Sequence, residues 1–174
     1  MSVSNTVSAV APAAKNIDIP TAAREAIARL MMEYVHAIDN NELERWPRFF
    51  TEKCLYQIIS RADHELGRPI GAWFCDSRGM LEDRVSSIRE VNVFEPHVYR
   101  HVIGPTEVLD AGNGAYATQT SYIVVRTMRD GEMTLFSAGR YVDEITVEDG
   151  TARLRKRVVV TDSWRYDTLI AIPI

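Results

Sequence analysis

The 174-residue sequence predicts an α+β domain, with helices packed on one face of a curved, mostly antiparallel sheet. Three observations carry this. Apolar residues at helical spacing are confined to the segment before residue 92. After Pro96 come long strand-like runs separated by the turn signals GNG, RDG and EDG. A hydrophobic content of 46%, with no internal repeat or low-complexity tract, fits one domain with a real core.

Residues 1–19, beginning MSVSNTVSAVAPAAKN, read as an N-terminal arm of small residues, flexible or wrapped around a partner, ahead of a single domain at 20–174. The arm lacks the basic start and long apolar run of a secretory signal. Pro20 and Thr21 open a helix whose face is Ala23, Ile27, Leu30, Met31, Tyr34 and Ile38, ending near Asp39-Asn40-Asn41. A shorter helical piece carries Leu43, Trp46, Phe49 and Phe50, its regularity limited by Pro47. Leu55 to Ile59 reads as a first strand, and SRADHELGRPIG as a loop or irregular edge. A third helix spans Ser77 to about Val91, with Met80, Leu81, Val85 and Ile88 as its buried stripe. Strands follow at residues 99–108, 116–128, 133–147, 152–163 and 168–172.

Charge and composition narrow the function. The net charge of −4 gives no basic face for nucleic acid. Only Lys15, Lys53 and Lys156 are lysines, so the positive charge is almost all arginine, the side chain suited to pairing with carboxylates at interfaces. Two cysteines, Cys54 and Cys75, without a CxxC motif point to a reducing, cytoplasmic location. No apolar run of about 18 residues suggests a membrane span. Dinucleotide, P-loop, nucleophile-elbow and HExxH motifs are all missing. So are the paired cysteines and histidines of a Rieske centre.

The stretch EPHVYRH holds His97 and His101, two of only four histidines. Val98, Tyr99, Val102 and Ile103 favour a strand, opened by Pro96 and closed by Gly104-Pro105. On a strand the two imidazoles lie roughly 13 Å apart on one face, too far to share an ion. His101 with Asp39 or Asp83 could form an acid–base pair in a pocket. Otherwise it is a structural histidine bonded to a carboxylate or backbone. Asp83 and Arg84 read as a structural pair. Arg153, Arg155 and Arg157 alternate, which places all three on one side of a strand, either solvated or meeting carboxylates at an interface. Arg157 and Asp162 can pair within the fold. The apolar ending TLIAIPI reads as a strand buried in the domain or against another subunit, and Trp46, Trp73, Phe74 and Trp164 as core or interface.

From about Ala26 to Ile174 the chain resembles the small (β) subunits of aromatic-ring-hydroxylating dioxygenases, the Rieske non-haem iron oxygenases. The pieces that carry the resemblance are YVHAIDNNELERWPRFFTEKCLYQI, MLEDRVSSIRE, YRHVIG, FSAGRYVDE and LRKRVVVTDSWRYDTLIAIPI, in that order. WPRFFTEKCLYQI, CDSRGMLEDRVSSIREVNVFEPHVYRH and DTLIAIPI look closest to subunits of enzymes acting on aromatic acids such as terephthalate or salicylate. The resemblance implies a cystatin-like, NTF2-like cone. It also implies an α3β3 hexamer in which the large (α) subunit holds the Rieske [2Fe–2S] cluster and a mononuclear Fe(II), supplied with electrons from NAD(P)H through a ferredoxin or reductase. The small subunits associate with one another and carry no catalytic residue, metal or cofactor. The family's characteristic positions fall on Asp83, Arg84, Arg100, His101, Gly139, Arg157 and Asp162, as structural or interface residues. The alternative is a free-standing dehydratase or isomerase on the same fold with a His–Asp pocket.

Overall fold

The computed structural model describes residues 17–69, 71–91, 95–165 and 170–174. Helix α1 (Thr21–Asp39) is followed by a 3-10 turn (Leu43–Phe49), β1 (Phe50–Ser60), α2 (Arg61–Glu65), β2 (Trp73–Cys75) and α3 (Arg78–Glu90). Then come β3 (His97–Ile103), β4 (Glu107–Gly112), β5 (Ala115–Met128), β6 (Met133–Glu148) and β7 (Thr151–Thr161). The sheet runs β2-β1-β7-β6-β5-β3, with β4 also on β5. The β1–β7 pair is parallel and the other pairs are antiparallel. Helices α1 and α3 therefore pack on one face of a curved, mixed sheet, as the periodicities predict.

The apolar stripe of α1 is buried as read, from Ala23 to Ile38. The chain leaves the helix through Asn41 at φ 59°, a left-handed conformation that asparagine tolerates. On α3 the buried residues are Leu81, Val85 and Ile88, spaced by four and three. Met80, expected beside them, is exposed because it sits about 100° round the helix from Leu81.

Three local expectations need correction. The run at 99–108 is two strands, not one. Pro105 has no N–H to continue the ladder, so β3 stops at Ile103 and β4 restarts at Glu107, both on β5. The segment SRADHELGRPIG contains α2, whose start is capped by the Ser60 hydroxyl accepting the Asp63 N–H at 3.1 Å. This segment lies over a small outward cluster of Ile59, Val158 and Val160. Finally, the apolar ending is not a strand over residues 170–174; residues 168 and 169 lie outside the described set. Ile170, Ala171, Ile172 and Ile174 are buried within the domain. The Trp73 indole N–H donates to the Ile170 carbonyl at 3.0 Å.

At Gly139 the backbone of β7 leaves no room for a side chain on β6. A Cβ there would sit 2.1 Å from the Val160 carbonyl oxygen, which is backbone and cannot rotate away. Gly139→Ala is expected to cost about 3 kcal/mol or more, measured by urea unfolding. A loss under about 1 kcal/mol would show that β6 and β7 separate freely at this point.

Candidate functional site

The inward positions of β3, β5, β6 and β7 face α1 and form the interior of the cone. β3 is a strand in which Tyr99 and His101 point inward, while Val98, Arg100 and Val102 point out. Asp39, at the last turn of α1, reaches this strand. One carboxylate oxygen accepts from His101 Nδ1 at 2.6 Å, and the other accepts the His101 backbone N–H at 2.9 Å. Both side chains are buried. An ionised Asp39 places a proton on Nδ1. Nε2 is buried and has no hydrogen-bond partner among the described residues. A neighbouring cleft of about 390 Å³ is lined by Asp39, His97, Tyr99, Arg89 and Ile172, and His101 is not among its described lining residues.

The centre of the cone is held by a different pair. Arg157 on β7 lies opposite Asp143 on β6. Its Nε and Nη2 donate to the two carboxylate oxygens at 2.9 and 2.7 Å. Both side chains are fully buried. The guanidinium lies between the rings of Tyr34 and Tyr141, 4.1 and 4.2 Å from their centroids. Nη2 also contacts Met31 Sδ at 2.8 Å. Burial alone would lower the Arg157 pKa, but the Asp143 charge outweighs it and holds the group above its ordinary value. Burial pushes the Asp143 carboxyl up, opposed by Arg157. We read the pair as ionised, because the fork geometry fits a charged carboxylate.

Aromatic rings fill the space around this pair. Tyr122 stacks on Tyr141 at 4.7 Å. Trp46 meets Tyr56 edge-on at 5.0 Å and donates its indole N–H to the Tyr34 hydroxyl at 3.0 Å. The Tyr34 and Tyr56 hydroxyls donate to the Ile174 carbonyl, each at 3.1 Å. The interior that could have been a pocket is thus occupied by tyrosines and by the apolar segment ending at Ile174.

The other candidates lie apart from this interior. Arg84 packs its guanidinium 4.6 Å over the Trp73 ring, and Asp83 is exposed, so the two do not pair. Asp162 pairs with Arg61 at 2.8 Å, not with Arg157. Arg100 is exposed and approaches Asp39 only to 3.7 Å. Arg153, Arg155 and Arg157 do not share a side. The β6–β7 register shifts between Leu154 and Lys156, so Arg155 is an extra residue in the strand. This bulge turns Arg157 inward and leaves Arg153 and Arg155 exposed, with Arg153 donating to the Arg48 carbonyl at 2.7 Å. Asp143 was missed in the sequence. Its signal was an acidic residue in phase with Tyr141 and Ile145, on the apolar face of a strand. Among the described residues, no group of three or more His, Cys, Asp or Glu is placed to hold a metal, and no helix is long and apolar enough to cross a membrane.

The family model of the SnoaL-like domain matches residues 20–158, which span this helix-packed sheet from α1 into β7. Within that class, the chain is 37% identical over 148 residues to the anthranilate 1,2-dioxygenase small subunit of Burkholderia cepacia, covering 85% of this chain and 92% of that one. It is 38% identical, over 85% of this chain and 96% of the other, to subunit beta 2 of the terminal oxygenase component of terephthalate 1,2-dioxygenase from Comamonas sp.. A crystal structure described as the beta subunit of an aromatic-ring-hydroxylating dioxygenase from Novosphingobium aromaticivorans superposes with a TM-score of 0.80 at 38% identity, over 87% of this chain and 97% of that one. The chain belongs to the small (β) subunits of aromatic-ring-hydroxylating dioxygenases.

Two measurements test the interior. Asp143→Ala leaves a buried unpaired guanidinium and is expected to cost about 3–5 kcal/mol in urea unfolding. Adding Arg157→Met should recover much of that, since apolar replacement of a buried pair is often near neutral; no recovery would mean that Arg157 is needed for more than its charge. In an alkaline titration followed at 295 nm, Tyr34, Tyr56 and Tyr141 should stay protonated until the chain unfolds, because burial raises all three. Their contribution to stability is full below the ordinary tyrosine value of 10.0 and is lost as pH rises above it. Ionisation of every tyrosine near pH 10 in the folded chain would contradict this packing.

Proposed function

We propose that this chain is the non-catalytic small subunit of a Rieske-type oxygenase acting on an aromatic acid, and that it organises an iron-containing large subunit. The observation that carries the reading is the filled cone, in which the interior is taken up by Arg157, its tyrosine neighbours and Ile174. Such an interior suits a rigid building block better than a substrate pocket. Relatives named for anthranilate and terephthalate support an aromatic acid as the substrate class. In this reading the Rieske [2Fe–2S] cluster and the mononuclear Fe(II) belong to the large subunit. Electrons arrive from NAD(P)H through a ferredoxin or reductase, and the assembly is a cytoplasmic α3β3 hexamer in which the small subunits also touch each other. Asp83, Arg84, Arg100, Arg153, Arg155 and Asp162 serve as structural or interface residues. Of the 1–19 arm, Ile17 and Ile19 pack against the domain's own core, which leaves only the residues before Ile17 available to a partner.

One observation favours a second reading, a dehydratase or isomerase. The Asp39–His101 pair orients an imidazole whose Nε2 has no hydrogen bond to a described residue. Its full burial weighs against that reading.

A tagged chain purified from its native cells separates the two. The expected result is co-purification of one partner of roughly 45–50 kDa, well above the usual single-domain size, with the brown absorption of a Rieske cluster. A colourless, partner-free chain whose own turnover is abolished by His101→Asn would select the second reading.

A further inference from the structure

An antiparallel sheet with one face on a core ordinarily presents polar residues on the other. In this protein the outward face does so only in part. Over β1 and β7 the outward cluster of Ile59, Val158 and Val160 lies beneath the α2 segment. From β6 to the edge strand β3 no described element lies over the sheet. Three rows cross this uncovered area: Val98–Thr127–Met133, Arg100–Val125–Leu135 and Val102–Ile123–Ala138. Val98 and Val102 are each 58% exposed, Ile123 44%, Leu135 67% and Met133 70%. At the border, a depression of about 360 Å³ is lined by Leu135, Ala138, Ser163 and Arg165, and the adjacent Trp164 is 79% exposed. An apolar expanse of this kind, with a bare tryptophan at its rim, marks a surface that another protein covers.

The charges on this face select the partner. Across these rows the ionic side chains are arginines: Arg100 in the middle row and Arg140 one row further along, opposite Ser121 and Val160; beyond Val142 on the same side of β6, Glu144 is paired with Lys156 at 3.7 Å. Arg140 makes no ion pair with a described residue, and its Nε is buried without a hydrogen bond. Arg100 reaches Asp39 only at 3.7 Å, and that buried carboxylate is bonded to His101, while Asp162 is paired with Arg61. Asp130 and Glu132 sit only at the tip of the β5–β6 hairpin. Two copies joined through these rows on a two-fold axis would bury arginines against arginines, since the one carboxylate further along β6, Glu144, is already paired with Lys156. A different chain with an apolar surface and one or two Asp or Glu side chains avoids that.

We propose that the outward face of β3, β5 and β6 is the docking surface for the large oxygenase subunit, with Arg100 and Arg140 meeting its carboxylates. This proposal rests on the small-subunit reading above. The test co-expresses a tagged large subunit with the wild-type chain or with Ile123→Glu, Leu135→Glu, Arg100→Glu or Leu109→Glu. Leu109 is an exposed apolar residue on β4, outside the face. Binding of the large subunit, the mass of each isolated chain in solution and its melting temperature are recorded. The expected result is binding weakened roughly tenfold or more by the first three substitutions, with Leu109→Glu, the isolated masses and the melting temperatures unchanged. Four results would overturn the proposal. If the wild-type chain binds no large subunit, the small-subunit reading fails and takes this one with it. If the wild type binds and the face variants bind equally well, only the docking surface is wrong. If the variants change the mass of the isolated chain instead, a second copy covers the face. If they lower only the melting temperature, the face is covered by the chain's own residues.

Discussion

A guanidinium cannot be neutralised at any ordinary pH, so a fully buried arginine dictates its surroundings. Arg157 needs a carboxylate, and Asp143 supplies one from the facing position on the next strand. Its two flat faces need partners without competing charge, and the Tyr34 and Tyr141 rings provide them. Tyr34 belongs to α1 and Tyr141 to β6, so one cation fixes how far the helix stands from the sheet and where along it the helix lies. The Tyr34 hydroxyl passes the constraint on, to Trp46 in the 3-10 turn and to Ile174. Helix, turn, sheet and C-terminal segment are thereby referenced to one charge.

This arrangement explains how a fold compatible with catalysis becomes a structural subunit. The Asp39–His101 contact has the parts of an acid–base site, yet in this chain its two hydrogen bonds join the end of α1 to the edge strand β3. Accepting a backbone N–H on a free strand edge also satisfies a group that would otherwise face solvent unpaired. The carboxylate is therefore part of how the sheet ends. With the inside closed, the surfaces available for biological work are the outward ones.

The elements with a strong period were legible. α1 and α3 showed their stripes, the strands of the second half showed in their alternation and turn residues, and EPHVYRH read correctly as a strand. Asp39 was recognisable as a partner for His101 because it falls at the predicted end of a helix. Other features left no local trace. The Arg155 bulge sits in LRKR, where every choice of phase exposes or buries a charge, so the plain alternation put Arg157 on the wrong side. The Asp143–Arg157 and Arg61–Asp162 pairs are decided by strand register, which sequence spacing does not contain. The α2 cap was visible as Ser60 followed three residues later by Asp63, but the five-residue helix it starts is too short to show a period. Met80 failed for a simpler reason, in that an apolar residue one position off a stripe looks like part of it.

The parallel pairing of β1 with β7 bears on how the chain assembles as it is made. Tyr56 on β1 bonds Ile174, 118 residues later, and the Thr161 hydroxyl on β7 bonds Ile59 across 102 residues. Contacts so distant close late, after the local β5–β6–β7 meander has formed. On the ribosome, α1 and β1 emerge first, and until β7 has left the exit tunnel β1 has only the three-residue β2 to pair with. For much of synthesis the long apolar face of α1 waits for the strands it packs on, and the charge that centres it, Arg157, arrives with β7, so the first half of this protein depends on its last strand for full shelter from aggregation.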